Sequence, residues 1–107
     1  MPSLATRAAI AGTLDTATFL ARRPELFREA RGRAIGSAAF GALWFTLAAK
    51  SAFEETPDNT TVALAAAVAA GNVAMLVVHL RHRVISPRVF AGAALSAVAL
   101  ADVVRRR

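Results

Sequence analysis

Asn72, His79 and His82 stand out along an apolar run, with Arg81 and Arg83 interleaved with the histidines; Asp15, Lys50 and Asp102 are single charges within or at the edge of other such runs. His79 and His82 are three residues apart, so one helix could bring both toward a metal ion. No further histidine and no cysteine exists to complete the site, and Arg81 and Arg83 would repel a cation. No metal site is therefore expected. Nor does the sequence hold a nucleophile with its base, a general acid and base pair, or a phosphate-binding glycine loop. No catalytic residue is assigned, and no enzyme activity is expected.

The chemistry that the residue types favour is recognition of anionic headgroups. Arg31, Arg33, Arg81, His82, Arg83 and Arg88 read as a basic collar, and basic pockets between membrane helices on the matrix or cytoplasmic side bind cardiolipin and similar lipids. A bound phospholipid such as cardiolipin is the one non-protein group expected. The net charge of +6 does not point to nucleic acid, because the arginines punctuate apolar segments and do not line a soluble face with aromatic or polar readers.

Those segments must position the collar. Apolar residues make up 56% of the 107 positions, and three stretches, 34–53, 62–80 and 89–104, carry most of them. A bilayer core of ~30 Å needs about 20 helical residues, and 62–80 supplies them without a charged side chain. The third stretch is the weakest, since only 89–101 is free of charge. The expected architecture is an all-α integral membrane protein with a three-helix transmembrane domain over 34–107, its spans near 34–53, 61–80 and 87–104. An N-terminal segment, 1–33, precedes it as an interfacial amphipathic helical region. Pro24 is expected to break that region and open a helix that continues into the first span. In the alternative, 4–21 also crosses, giving four spans and a chain similar in size to the small multidrug transporters. Asp15 would then be an intramembrane acid, which defaults to a functional site, but Arg7 and Asp15 would cost roughly 5–7 kcal/mol at the bilayer centre.

Within the three-span reading, several contacts are expected. Small residues four apart, among them Gly36, Gly41, Gly71 and Gly92 with Gly32, Ser37, Ala67 and Ser96, let helix backbones approach closely. Asn72 shares a face with Thr61, Ala65 and His79 and is expected to hydrogen-bond across helices. Lys50 and Asp102 fall at one membrane level and are expected to pair. Asp58, Asn59 or Thr60 can cap the second span, and Ser86-Pro87 opens the third. Asn59-Thr60-Thr61 also matches a glycosylation sequon, though it lies against an apolar helix.

Placing 1–33 and the Arg81–Arg88 connection on one side makes that side cytoplasmic or matrix by the positive-inside rule, against which Arg105, Arg106 and Arg107 stand as a conflict. The functional expectation is a non-catalytic accessory subunit of a larger energy-transducing complex, such as a respiratory complex or ATP synthase. It would sit in a mitochondrial or bacterial inner membrane, contact other membrane subunits and anionic phospholipids, and aid assembly and lipid retention. The alternative is a self-assembling holin-like pore or a four-span transporter.

Overall fold

The computed structural model describes residues 3–107. Five helices follow in order: α1 (Leu4–Arg22), the single turn α2 (Leu26–Glu29), α3 (Arg31–Phe53), α4 (Asn59–Arg81) and α5 (Pro87–Arg106). Two of them, α4 and α5, are long and apolar enough to cross a membrane. Glycine, serine and Lys50 dilute α3, and Arg7, Asp15 and four threonines dilute α1.

Local chemistry sets the helix ends. Ser3 accepts the Thr6 amide at 3.1 Å and caps α1. Arg23-Pro24 ends it, because the residue before proline is driven from the α region. The expected continuous helix from Pro24 is interrupted: α2 lasts one turn, and Ala30, at φ −142° and ψ 61°, separates it from α3. Of the three candidate caps on α4, Asp58 is the one that bonds, taking the Thr61 amide at 2.8 Å and the Thr61 hydroxyl at 3.1 Å. Pro87 opens α5, while the Ser86 side chain makes no capping bond.

The Asp58 cap makes α4 sensitive to acid. The Thr61 amide, then its hydroxyl and nearby Lys50, hold the Asp58 carboxyl below its ordinary range. A carboxyl depressed in the folded state stabilises fully above its unfolded pKa of about 4 and loses that contribution as pH falls through the lower folded value. Thermal unfolding followed by circular dichroism is expected to show a melting temperature that declines on acidification below about pH 4. The decline should flatten in Asp58→Asn.

Helices α1, α3, α4 and α5 run alternately up and down and pack in a ring, α1 on α3, α3 on α4, α4 on α5 and α5 back on α1, with the α3–α4 seam the thinnest. The bundle measures 42 by 26 by 22 Å. Helix α1, expected as part of an interfacial segment, packs into this ring through a buried stripe of Ala5, Ala8, Ala9, Gly12 and Thr16. The stripe consists of small residues at three- and four-residue spacing, which suits close helix packing. Threonines within the helices satisfy their own hydroxyls, Thr13 on the Ala9 carbonyl, Thr16 on Gly12 and Thr46 on Ala42. The outer surface is apolar, with Ile10, Leu14, Ile35, Phe45, Val73, Val77, Val78 and Val98 exposed.

Candidate functional site

Four glycines receive large side chains from neighbouring helices near the middle of the bundle. A Cβ on Gly12 would run into the Trp44 ring, and one on Gly71 would lie 2.5 Å from the Phe40 ring. One on Gly41 would meet the Thr16 methyl at 2.9 Å, and one on Gly92 the Asn72 Oδ1 at 2.8 Å. These contacts join α1 to α3, α3 to α4 and α4 to α5, and Phe40 meets Trp44 edge to face at 6.3 Å. Gly41, Gly71 and Gly92 thus each lie against a side chain of a neighbouring helix. Gly36 does not, because a Cβ there would meet nothing within 4 Å.

Gly36 faces a chamber of about 1170 Å³ that lies between the four long helices and is about half open to the outside. Trp44, Phe40, Gly12 and Leu95 form its deep part; Phe19, Arg33, His79, Ser86 and Arg88 line it toward the end where α1 and α4 finish and α3 and α5 begin. Drug-sized ligand pockets run to ~1,000 Å³, so the space suffices for a molecule with a long apolar portion.

The mouth carries most of the chamber's charge. Arg88 Nε donates to both oxygens of Asp15, at 3.1 and 2.9 Å, tying α5 to α1. The Arg88 guanidinium also lies 4.1 Å from the centre of the Phe19 ring, and Arg33 approaches the same ring at 5.9 Å. The Nη groups of Arg88 make no hydrogen bond with the described residues. His79 Nδ1 donates to the Met75 carbonyl at 2.8 Å, a bond within its own helix that holds the ring against the chamber wall.

Of the six collar residues, the structure brings Arg33 and Arg88 to the chamber; Arg31, Arg81, His82 and Arg83 are exposed at the same end of the bundle and do not line it. Arg83 is distinguished by its backbone. Its φ of 57° is left-handed, and the Val84 amide on the His79 carbonyl with the Arg83 amide on Leu80 completes a Schellman turn, in which glycine is the usual residue. Arg83→Gly is expected to raise stability by about 0.5–1 kcal/mol in chemical unfolding, since the backbone relaxes without loss of any bond.

Two expected contacts form differently. Among the described residues Asn72 makes no hydrogen bond across helices; its Nδ2 donates to the Val68 carbonyl one turn back in the same helix at 3.0 Å, while its side chain packs on Gly92. Lys50 and Asp102 do not pair. Lys50 Nζ sits 2.9 Å from Glu54 and 3.4 Å from Asp58. Asp102, 4% exposed, takes Arg105 and Arg106 at 3.1 Å each and accepts the Ala5 amide at 3.1 Å. Nearer partners one helical turn away win over a partner on another helix.

Sequence reasoning missed Gly12, Phe19, Phe40 and Trp44 as parts of one site. Gly12 belongs to a visible series of small residues in α1, and the aromatics carried no signal of which glycine each would meet. Among the described residues, no three His, Asp or Glu side chains gather where they could hold a metal ion. No family model, curated protein or solved structure matches the chain.

Proposed function

We propose that this chain is a non-catalytic membrane protein in which all four long helices cross the bilayer and the chamber between them holds an amphiphilic small molecule. The chamber itself carries this reading: about 1170 Å³ of space, apolar in its depth and charged at its mouth, inside a bundle whose outside is apolar.

The charges that weigh against α1 as a span are placed where they cost least. Arg7 is one turn from the start of α1, within reach of the headgroup layer, and Asp15 is bonded to Arg88 near the mouth. At 19 residues α1 is about 28 Å long, close to the ~30 Å hydrocarbon core. The α1–α3 and α4–α5 connections and the helix ends beside them bring eight arginines to one end of the bundle, which supports placing that end on the cytoplasmic or matrix side; a bacterial or mitochondrial inner membrane is the setting we propose. An accessory subunit of a larger complex is a setting in which such a protein would retain lipid.

The test uses Gly36→Phe, whose ring would enter the chamber at a position where nothing obstructs it. Wild-type protein extracted in mild detergent is expected to carry a bound amphiphile detectable by native mass spectrometry, and Gly36→Phe to lose it while melting at the wild-type temperature. Equal occupancy in both would overturn the reading. The same extract on a native gel decides the setting, since co-migration with a large complex at fixed stoichiometry shows a subunit and migration alone shows a free-standing protein.

A further inference from the structure

We infer that the chamber's ligand is an anionic amphiphile, with a carboxylate or phosphate head held at the mouth by Arg88 and Arg33 and an aliphatic tail reaching past Phe40 toward Trp44. This inference rests on the chamber binding an amphiphile at all.

Three observations select the anion. Charge comes first: Arg33 and Arg88 against the single Asp15 leave the mouth with one positive charge in excess. Second, Asp15 engages only the Nε of Arg88, so both Nη groups remain as a free fork, the geometry that binds carboxylate or phosphate with two parallel bonds. The Phe19 ring at 4.1 Å and the Asp15 carboxylate fix the plane of that fork before any ligand arrives. Third, the acidic group of the chamber and the aromatic ring at its mouth, where a charged head would sit, are already used by a cation of the protein itself. Arg88 lies over Phe19 and on Asp15, and a cationic ligand would have to displace it.

Polarity along the chamber sets the orientation of the ligand. From Arg33 and Arg88 inward, the walls pass to Phe40, Leu95 and Trp44, so a tail loses water contact as the head gains the guanidinium groups. The thin α3–α4 seam gives the tail a route from the bilayer. Phe40 packed on Gly71 closes that seam at mid-depth, while Gly36 leaves α3 without a side chain on the mouth side of it.

Trp44, the chain's only tryptophan and 2% exposed, reports occupancy of the deep chamber directly. Purified protein in detergent is titrated with dibromostearic acid, its methyl ester, a dibromostearoyl lysophosphatidate and a dibrominated alkyl trimethylammonium, each of which quenches a tryptophan it touches. The free acid or the lysophosphatidate is expected to quench Trp44 at about tenfold lower concentration than the ester, the worth of a charge-assisted bond. Whichever of the two binds tighter identifies the head as carboxylate or phosphate. Arg88→Gln and Arg33→Gln should each weaken the anion by about tenfold and leave the ester unchanged. Because the Asp15–Arg88 pair is 48% and 41% exposed, its loss should leave the melting temperature near wild type. Equal quenching by acid and ester would overturn the anion while the chamber reading stands. Tighter quenching by the ammonium compound would do the same. No quenching by any of the four would remove both.

Discussion

Gly12→Val is expected to destabilise the bundle by at least about 3 kcal/mol, the upper part of the range for overpacking a buried contact. Both partners are buried, and a side chain at position 12 would occupy space that the Trp44 ring now fills. Movement of the ring would also disturb Phe40, which meets it edge to face and is itself seated on Gly71. Small residues let the α1 and α3 backbones approach closely, so loss of this seat removes part of what joins the two helices. Denaturant unfolding of detergent-solubilised protein, followed by far-ultraviolet circular dichroism, gives the size of the effect. Trp44→Ala in the same background should recover part of it, and the double variant should be less destabilised than the sum of the two single ones. Full additivity would show that Gly12 and Trp44 do not share this contact in solution.

Asp102→Ala is the second large effect, about 2–3 kcal/mol, somewhat below the 3–5 kcal/mol seen when one partner of a fully buried ion pair is removed. The reduction reflects Arg105 and Arg106, which are partly exposed and regain some hydration. Three groups lose their partner at once: the two guanidinium groups and the Ala5 amide in the first turn of α1, which no residue of α1 can bond. Arg106 is the more vulnerable to the loss, because one of its Nη atoms is buried without a hydrogen bond to any of the described residues. Asp102→Asn keeps an acceptor for the Ala5 amide and should be less damaging. Amide hydrogen exchange provides the local reading, since the start of α1 should exchange faster in Asp102→Ala than elsewhere in the bundle.

Much of this architecture is legible in the residues. The three apolar stretches each lie within one helix, and Asp58, Pro87 and Arg23-Pro24 mark ends by their own backbone chemistry. The inward stripe of α4, Thr61, Ala65, Val68 and Asn72, follows directly from helical spacing. Packing of α1 into the ring was obscured because Arg7 and Asp15 lower its hydropathy. Hydropathy sums side chains without regard to where along the helix a charge falls or what it meets, and Asp15 meets Arg88 on a helix 73 residues further on. The chamber was hidden for a related reason. It exists because Gly12, Gly41, Gly71 and Gly92 let the middle of the bundle close tightly while Gly36 leaves the mouth open, and identical residues carry these opposite roles. Only the helix crossings distinguish them.

Four long helices running alternately up and down return the chain to the face from which it set out, as the bond between Ala5 and Asp102 records. Parity has a practical corollary. Two copies joined tail to head through a short flexible linker would present the same orientation twice, with both mouths opening into one compartment. An odd number of crossings would invert the second copy. If all four long helices cross the bilayer as proposed, reporter tags fused at either terminus of the single chain should light up on the same side of the membrane, and a tandem should open both chambers toward one leaflet.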